Sequence, residues 1–268
     1  MNQKQKNEIR NKLRIGTHIP KSGKFLQSLR AFYEIRRNAG RPSQIFSGAA
    51  QFWRRPKVDT FDLAQTKSYL EAADLKVFIH SIYLINMGIA PTAFQEKAFD
   101  CLKWELEAGV LAGFKGVVVH CGKSLKLEPT EALENMYANM RAMLPYIDKS
   151  CPLLLETSAG QGTELCHEYE QLRDFYSAFS DEEREKIRIC IDTCHVFAAG
   201  HDPLEFIANW EADFPGTIAL IHFNDSAEPC GQRKDRHARP GQGYIGLAKL
   251  TAVAKWSLQN GLVPLVME

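Results

Sequence analysis

The sequence predicts an α/β protein built as a closed (β/α)8 TIM barrel. Three observations carry that reading. Eight short apolar runs alternate with stretches of helical spacing, and such alternation implies parallel strands joined by right-handed crossovers. Runs such as Val117–Val119 are apolar at every position, as in a sheet covered on both faces. Eight strands in 268 residues also match the count and the usual size, about 250 residues, of this barrel.

In chain order the predicted strands are Arg14–Ile19, Ser43–Phe46, Lys76–His80, Gly116–His120, Pro152–Glu156, Arg188–Asp192, Ile218–His222 and Pro264–Glu268. Helical patterns fill the intervals at Phe25–Asn38, Phe61–Ala73, Ala93–Ala112, Glu131–Ile147, Leu165–Phe175, Pro203–Trp210 and Ala248–Leu258. Gly88, Gly113, Gly160, Gly200 and Gly246 punctuate the joins. An open doubly wound sheet is the rival, but no G-x-G-x-x-G follows the first strand. Neither an internal repeat nor a low-complexity segment interrupts the pattern. Residues 1–13 read as a basic extension and residues 14–268 as a single barrel domain. The last strand ends the sequence with no eighth helix to cover it, so either the sequence is truncated or the barrel closes differently.

Hydrophobic residues make up 45% of the chain and charged residues 24%, which excludes a disordered tail, a collagen and a coiled coil. No apolar run approaches the roughly 18 residues of a membrane helix. Met1–Arg14 lacks the apolar centre of a secretory signal. The seven cysteines are scattered and include no C-x-x-C pair, which argues against a zinc ribbon and a disulfide framework and for a reducing intracellular compartment. A net charge of +1 conceals an asymmetry: residues 1–60 hold 14 Lys and Arg against 3 Asp and Glu, and the remainder holds 19 against 29. The basic segment suits an anionic partner such as nucleic acid, or is a solvated helix face with a basic tail. The acidic remainder would repel DNA unless bound divalent cations neutralise it.

Polar residues collect at the strand ends. His80, His120, Glu156, Asp192, His222 and Glu268 close six consecutive predicted strands. In a barrel those ends converge on one face, where such folds place their active sites. Singly, each would read as a loop histidine, a helix N-cap or an ion-pair partner. Together, three carboxylates crowded without cations would repel one another. Asp192-Thr-Cys-His195 carries the chain into a loop with a second imidazole, and Asp235-Arg-His237 puts a carboxylate and an imidazole on one side of an extended segment. These nine oxygen and nitrogen donors suit zinc and related ions, and their number implies two or three of them. His18 lies in or beside the pocket, His167 on a solvated helix face and His201 in a loop.

These residues stand in the motifs His80-Ser-Ile-Tyr-Leu-Ile-Asn86, Leu155-Glu-Thr-Ser-Ala-Gly-Gln-Gly162, Cys190-Ile-Asp-Thr-Cys-His-Val-Phe-Ala-Ala-Gly200, His222-Phe-Asn-Asp225, and Asp235-Arg-His-Ala238 leading to Gly241-Gln-Gly-Tyr-Ile-Gly246. In them the chain resembles the endonuclease IV family of apurinic/apyrimidinic (AP) endonucleases, from about Gly16 to Glu268. The resemblance implies a xylose-isomerase-like TIM barrel with three zinc ions, for which manganese can substitute. It assigns His80 and His120 to one ion and Glu156 as a bridge to a second, completed by Asp192, His222 and Glu268. His195, Asp235 and His237 hold the third. The implied partner is double-stranded DNA containing abasic sites or blocked 3′ ends, and the implied role is base excision repair by a monomer in a DNA-containing compartment. The expected reaction is hydrolysis of the phosphodiester 5′ to the abasic site, leaving a 3′-hydroxyl and a 5′-deoxyribose phosphate. A pair of zinc ions lowers the pKa of a shared water, so that metal-bound hydroxide is available at neutral pH.

The remaining assignments concern DNA. Arg236 is placed for a phosphate oxygen or for an ion pair beside the ligands. The resemblance makes Tyr83 and Leu84 a minor-groove wedge, whereas a structural reading packs them on the barrel with Ile85. Asn86 positions that loop or touches DNA. The family carries Arg-Gln-aromatic near positions 50–52, but here the run is Ala50-Gln51-Phe52, with Trp53 next and the arginines displaced to Arg54 and Arg55 as phosphate or wedge elements. Lys123 follows Cys121-Gly122, where the family has Pro-Gly-Ser, and is placed for a phosphate. Cys121 should point away from His120, and Cys194 reads as packing. The rivals are a metal-dependent sugar isomerase or epimerase on the same barrel, which needs neither a third ion nor a wedge, and a non-enzymatic DNA-binding module.

Overall fold

The computed structural model describes residues 15–35, 41–55 and 57–268. The basic extension at residues 1–13 lies outside the described residues, as do Arg14 and residues 36–38 of the first predicted helix. Seven parallel strands follow in order: β1 (Ile15–Ile19), β2 (Ser43–Phe46), β3 (Val77–His80), β4 (Val117–His120), β5 (Leu153–Glu156), β6 (Ile187–Asp192) and β7 (Ile218–His222). A two-residue antiparallel hairpin, β8 (Asp225–Ser226) with β9 (His237–Ala238), leaves the mouth after β7. The eighth barrel strand, β10 (Leu265–Met267), pairs with both β7 and β1 and closes the ring. Every predicted barrel strand is present, with ends shifted by no more than one residue.

The helices are α1 (Phe25–Arg30, running on in a wider π turn to Ile35), α2 (Thr60–Ala72), α3 (Pro91–Ala112), α4 (Pro129–Met143), α5 (Tyr169–Ser177), α6 (Asp181–Arg184), α7 (Thr193–Ala199), α8 (Pro203–Asp213) and α9 (Gly246–Gln259). The predicted starts of α3 and α4 fall two residues late, because Pro91 and Pro129 occupy the first turn, where a missing N–H costs nothing. The helix expected from Leu165 begins only at Tyr169: Cys166 is left-handed, at φ 58°, and its N–H is taken by the Gln171 side chain. Among the described residues no helix is long and apolar enough to cross a membrane.

Alternation along each strand places the site. Phe78, Val118, Leu154, Cys190, Leu220 and Val266 fill the lumen as one cluster. Their neighbours Val77, Ile79, Val117, Val119, Leu153, Leu155, Ile189, Ile191 and Leu265 face outward into the larger core under the helices. Two residues beyond each lumen side chain, on the same inward parity, come His80, His120, Glu156, Asp192, His222 and Glu268. The polar mouth is therefore the next layer of the apolar plug. A one-residue irregularity between β6 and β7 keeps Asp192 opposite His222.

Candidate metal centre

All nine predicted donors meet at the barrel mouth. Four overlapping groups have ligand atoms within 4.8 Å of one another: His80, His120 and Glu156; Glu156, Asp192, His222 and Glu268; Asp192, His195 and His237; and Cys194, Asp235 and His237. Glu156 joins the first pair of groups, Asp192 joins the second to the third, and His237 is common to the last two. Glu156 Oε2 lies 3.3 Å from His80 Nε2 and 3.2 Å from His120 Nε2, and its other oxygen lies 2.9 Å from His222 Nδ1. Asp235 reaches His195 Nε2 at 3.3 Å with one oxygen and His237 Nε2 at 3.1 Å with the other.

The imidazoles are aimed by what their far nitrogens do. His80 Nδ1 donates to the Ser81 carbonyl at 2.7 Å and His195 Nδ1 to the Thr157 carbonyl at 2.9 Å. His222 is turned the other way: its Nε2 donates to Gln44 Oε1 at 2.8 Å, leaving Nδ1 for the carboxylates. Each ring thus turns its other nitrogen toward the cluster, the orientation a metal ligand requires. Burial opposes the charge of Glu156, but the imidazoles of His222 and His120 outweigh it and hold the carboxyl well below the usual range. His195 moves the opposite way: burial is overcome by Asp192 and Asp235, and the imidazole titrates well above its ordinary value. Left to the site's own side chains, Glu156, Asp235 and Glu268 keep their charge against burial through the neighbouring imidazoles, and His195, His222 and His237 hold protons more tightly in return. Divalent cations would replace those protons. The buried atoms Glu156 Oε2, His195 Nε2 and His237 Nε2 have no hydrogen-bond partner, so the donor set fits such ions.

Several expectations change. Thr193–Ala199 is helix α7 rather than a loop; Asp192 caps it, accepting from Cys194 N at 2.6 Å and His195 N at 3.0 Å through Oδ1, while Oδ2 stays with the cluster. Arg55, expected at a DNA surface, is turned inward onto Glu105 at 3.1 Å, because that carboxylate is fully buried on α3. Asn86, expected among the DNA contacts, has its side chain committed to backbone: it donates to the Lys123 carbonyl and accepts from Lys123 N and Gly88 N, tying the loops after β3 and β4. Lys123 itself pairs with Glu164 at 3.2 Å and stays half exposed. Arg54 and Arg236 are exposed, and Trp53 packs partly into the core. Tyr83 and Leu84 are exposed while Ile85 is buried; the Tyr83 ring stacks on His120 at 5.5 Å. Cys121 donates its thiol to the Glu156 carbonyl, and burial pushes the Cys194 thiol up to about 12. His18 lies in the pocket, 3.8 Å from Glu268, whereas His167 and His201 sit by Glu168, away from the cluster.

Sequence reasoning passes over the supports. Gln44 bridges His222 and Glu268, donating to Glu268 Oε1 at 2.6 Å. Asn224 donates to Asp192 Oδ2 at 2.7 Å and accepts from Glu268 N at 3.0 Å. Asp225, fully buried, accepts from the backbone N–H groups of Gly241, Gly243, Ile245 and Gly246 and folds that loop about one carboxylate. A Cβ at Gly243 would sit 2.2 Å from the Ser226 carbonyl, so only glycine admits this approach. Gln44 does leave a signal: an amide between Ser43 and Ile45 of a short strand, on the parity of the lumen.

The profile described as xylose isomerase-like TIM barrel matches residues 43–255, and the closed barrel with its strand-end site places the chain in that class. Within it the relatives are narrower. "Probable endonuclease 4" of Streptomyces avermitilis is 32% identical over 266 residues, 95% of this chain and 84% of that protein. The protein of the same name from Haloarcula marismortui is 31% identical, covering 96% of this chain and 92% of its own. The crystal structure of endonuclease IV from Thermus thermophilus superposes with a TM-score of 0.78 at 26% identity, over 95% of this chain and 91% of that one. A D-tagatose 3-epimerase-like protein shares the fold, with a TM-score of 0.72 at 15% identity over 94% of this chain and 90% of its own. The chain belongs to the endonuclease IV family, and at that level it is a nuclease.

Proposed function

We propose that this protein is a metal-dependent AP endonuclease of base excision repair, cutting duplex DNA 5′ to an abasic site to leave a 3′-hydroxyl and a 5′-deoxyribose phosphate, and able to clear blocked 3′ ends. The observation that carries this reading is the pair of shared carboxylates, Glu156 and Asp192, which chain the donor groups into one extended centre rather than a single-ion pocket. His80, His120 and Glu156 would hold one zinc, Glu156, Asp192, His222 and Glu268 a second, and His195, Asp235 and His237 a third, with manganese as a substitute. Ions so held supply Lewis acidity to a phosphoryl oxygen and lower the pKa of water toward neutrality.

The chain's own side chains do the rest. Arg236, exposed between two donors, is positioned to take a phosphate oxygen. Arg54 on the loop after β2 and Lys123, half exposed beside Glu164 on the loop after β4, add positive charge. Tyr83 and Leu84 are 53% and 39% exposed, with the Tyr83 ring over His120, on a loop that can enter a duplex weakened by a missing base. A sugar epimerase on this barrel would use neither the Asp235–His237 group nor an exposed Tyr83–Leu84 edge. The deciding test is nicking of a duplex carrying one abasic analogue against the intact duplex, with and without chelator and after zinc is restored. Cleavage confined to the abasic strand and abolished reversibly by chelation is expected. Equal cleavage of intact DNA, or nicking indifferent to chelator, would sink the assignment.

A further inference from the structure

The loop between β2 and α2 is shaped by a buried ion pair that the proposed reaction does not use. The Arg55 side chain is 5% exposed and its partner Glu105 is 0%. Arg55 Nη2 donates to Glu105 Oε1 at 3.1 Å, and Ser47 Oγ donates to the same oxygen at 2.5 Å. Through Nη1, Arg55 then donates back to the loop itself, to the Phe52 carbonyl at 3.0 Å and the Arg54 carbonyl at 3.3 Å. Gly48 leaves room for that guanidinium, since a Cβ there would lie 3.1 Å from Nη1. A buried ion pair is weak grounds for stability. Here it fixes two backbone carbonyls on either side of Trp53, whose ring packs partly into the core.

The consequence is what the loop displays. Phe52 is 67% exposed, more than Tyr83 or Leu84. Tyr83 N donates to the Ala50 carbonyl at 3.1 Å, so the loop of Phe52 and the loop of Tyr83 are joined beside the metal centre. Three exposed apolar side chains, Phe52, Tyr83 and Leu84, therefore stand on two linked loops at the rim. An apolar edge on a constrained backbone marks a contact surface. A phenyl ring has no hydrogen-bonding group to read a base edge, yet it stacks on any base face. A duplex offers such a face in its interior only where a base is missing or flipped.

We propose that Phe52 inserts beside Tyr83 and stacks on the base left exposed at an abasic gap, and that Arg55 and Glu105 act as a positioning clamp for it. This assignment rests on the function proposed above. The test measures dissociation constants for abasic and intact duplexes, kcat, and metal content for Phe52→Ala, Phe52→Trp, Glu105→Gln and the Phe52→Ala/Glu105→Gln double variant. Loss of one aromatic stack should raise the Kd for abasic duplex about tenfold. The intact-duplex Kd and the metal content should stay at wild-type values, and kcat at saturation within about twofold. Phe52→Trp should restore abasic binding. Glu105→Gln should weaken abasic binding in the same selective way, and the double variant should be no worse than Phe52→Ala alone, because the clamp acts through that ring. Additive losses would overturn the clamp. Unchanged binding by Phe52→Ala, in an enzyme whose wild type nicks abasic DNA, would overturn the stacking role and leave the proposed function standing. A wild type that does not nick abasic DNA would remove both.

Discussion

Gln44 divides its amide among three partners, its oxygen facing His222 and its nitrogen facing Glu268 and His18. His222 and Glu268 belong to the same donor group, so one uncharged side chain sets the angle of an imidazole and a carboxylate together. Gln44→Met keeps the volume and removes all three hydrogen bonds. Metal affinity, read by competition with a coloured chelator, should fall about 10- to 100-fold. An unaltered affinity would show that His222 and Glu268 are held by packing instead. Glu105 makes a pH prediction. Burial pushes its carboxyl up to about 7, against the opposing pull of Ser47 and Arg55. Because the folded state holds this proton more tightly than the unfolded chain, stability is greatest below the unfolded pKa and declines as pH rises toward 7. Glu105→Gln removes that titration. Urea midpoints measured from pH 4.5 to 7.5 should therefore fall less with pH in the variant than in the wild type, and parallel profiles would count against the shift.

At the level of elements, Asp192 is both the last residue of β6 and the N-cap of α7. Its two oxygens separate those duties, and a substitution can separate them too. Asparagine caps a helix about as well as aspartate does. Asp192→Asn should therefore keep the helix, with an apo thermal midpoint near that of the wild type, while the donor groups that share Asp192 lose occupancy by elemental analysis. A variant that retained its metal but lost helix content would reverse the order of these roles. The same element shows what sequence can and cannot reveal. The barrel strands are legible because each of the last six is an apolar run ending in a donor, and the parity of that donor puts it in the lumen. Helix α7 is not, because all seven of its residues are buried and no polar face marks its period. The β8–β9 hairpin has two residues per strand, too few to alternate. Arg55 misleads for a different reason: its charge is visible, but the carboxylate that draws it inward lies 50 residues away in sequence. Gln44 and Asn224 escape notice because supports orient ligands without looking like them.

Across the whole molecule, the proposed function gives the acidic mouth and the basic first 60 residues different parts in meeting DNA. The centre gathers the carboxylates of Glu156, Asp192, Asp235 and Glu268 at one face, and phosphate cannot approach them unless cations intervene. Metal loading and DNA affinity should therefore rise together, and most steeply for contacts that reach the mouth. On the function proposed above, the surplus of positive charge in residues 1–60 would act differently, as an attraction that does not depend on the lesion. Residues 1–13 alone carry four Lys and Arg against one Glu. If they serve as an arm on the duplex, their removal should weaken binding to abasic and intact DNA by the same factor. It should also shrink the slope of log K against log salt by up to about 3, while kcat at saturation is unchanged. Fluorescence titrations of both duplexes between low and physiological salt, on the full chain and on a chain starting at Arg14, measure this directly. Equal slopes would show that those charges face solvent, and that the duplex is held by the rim of the barrel alone.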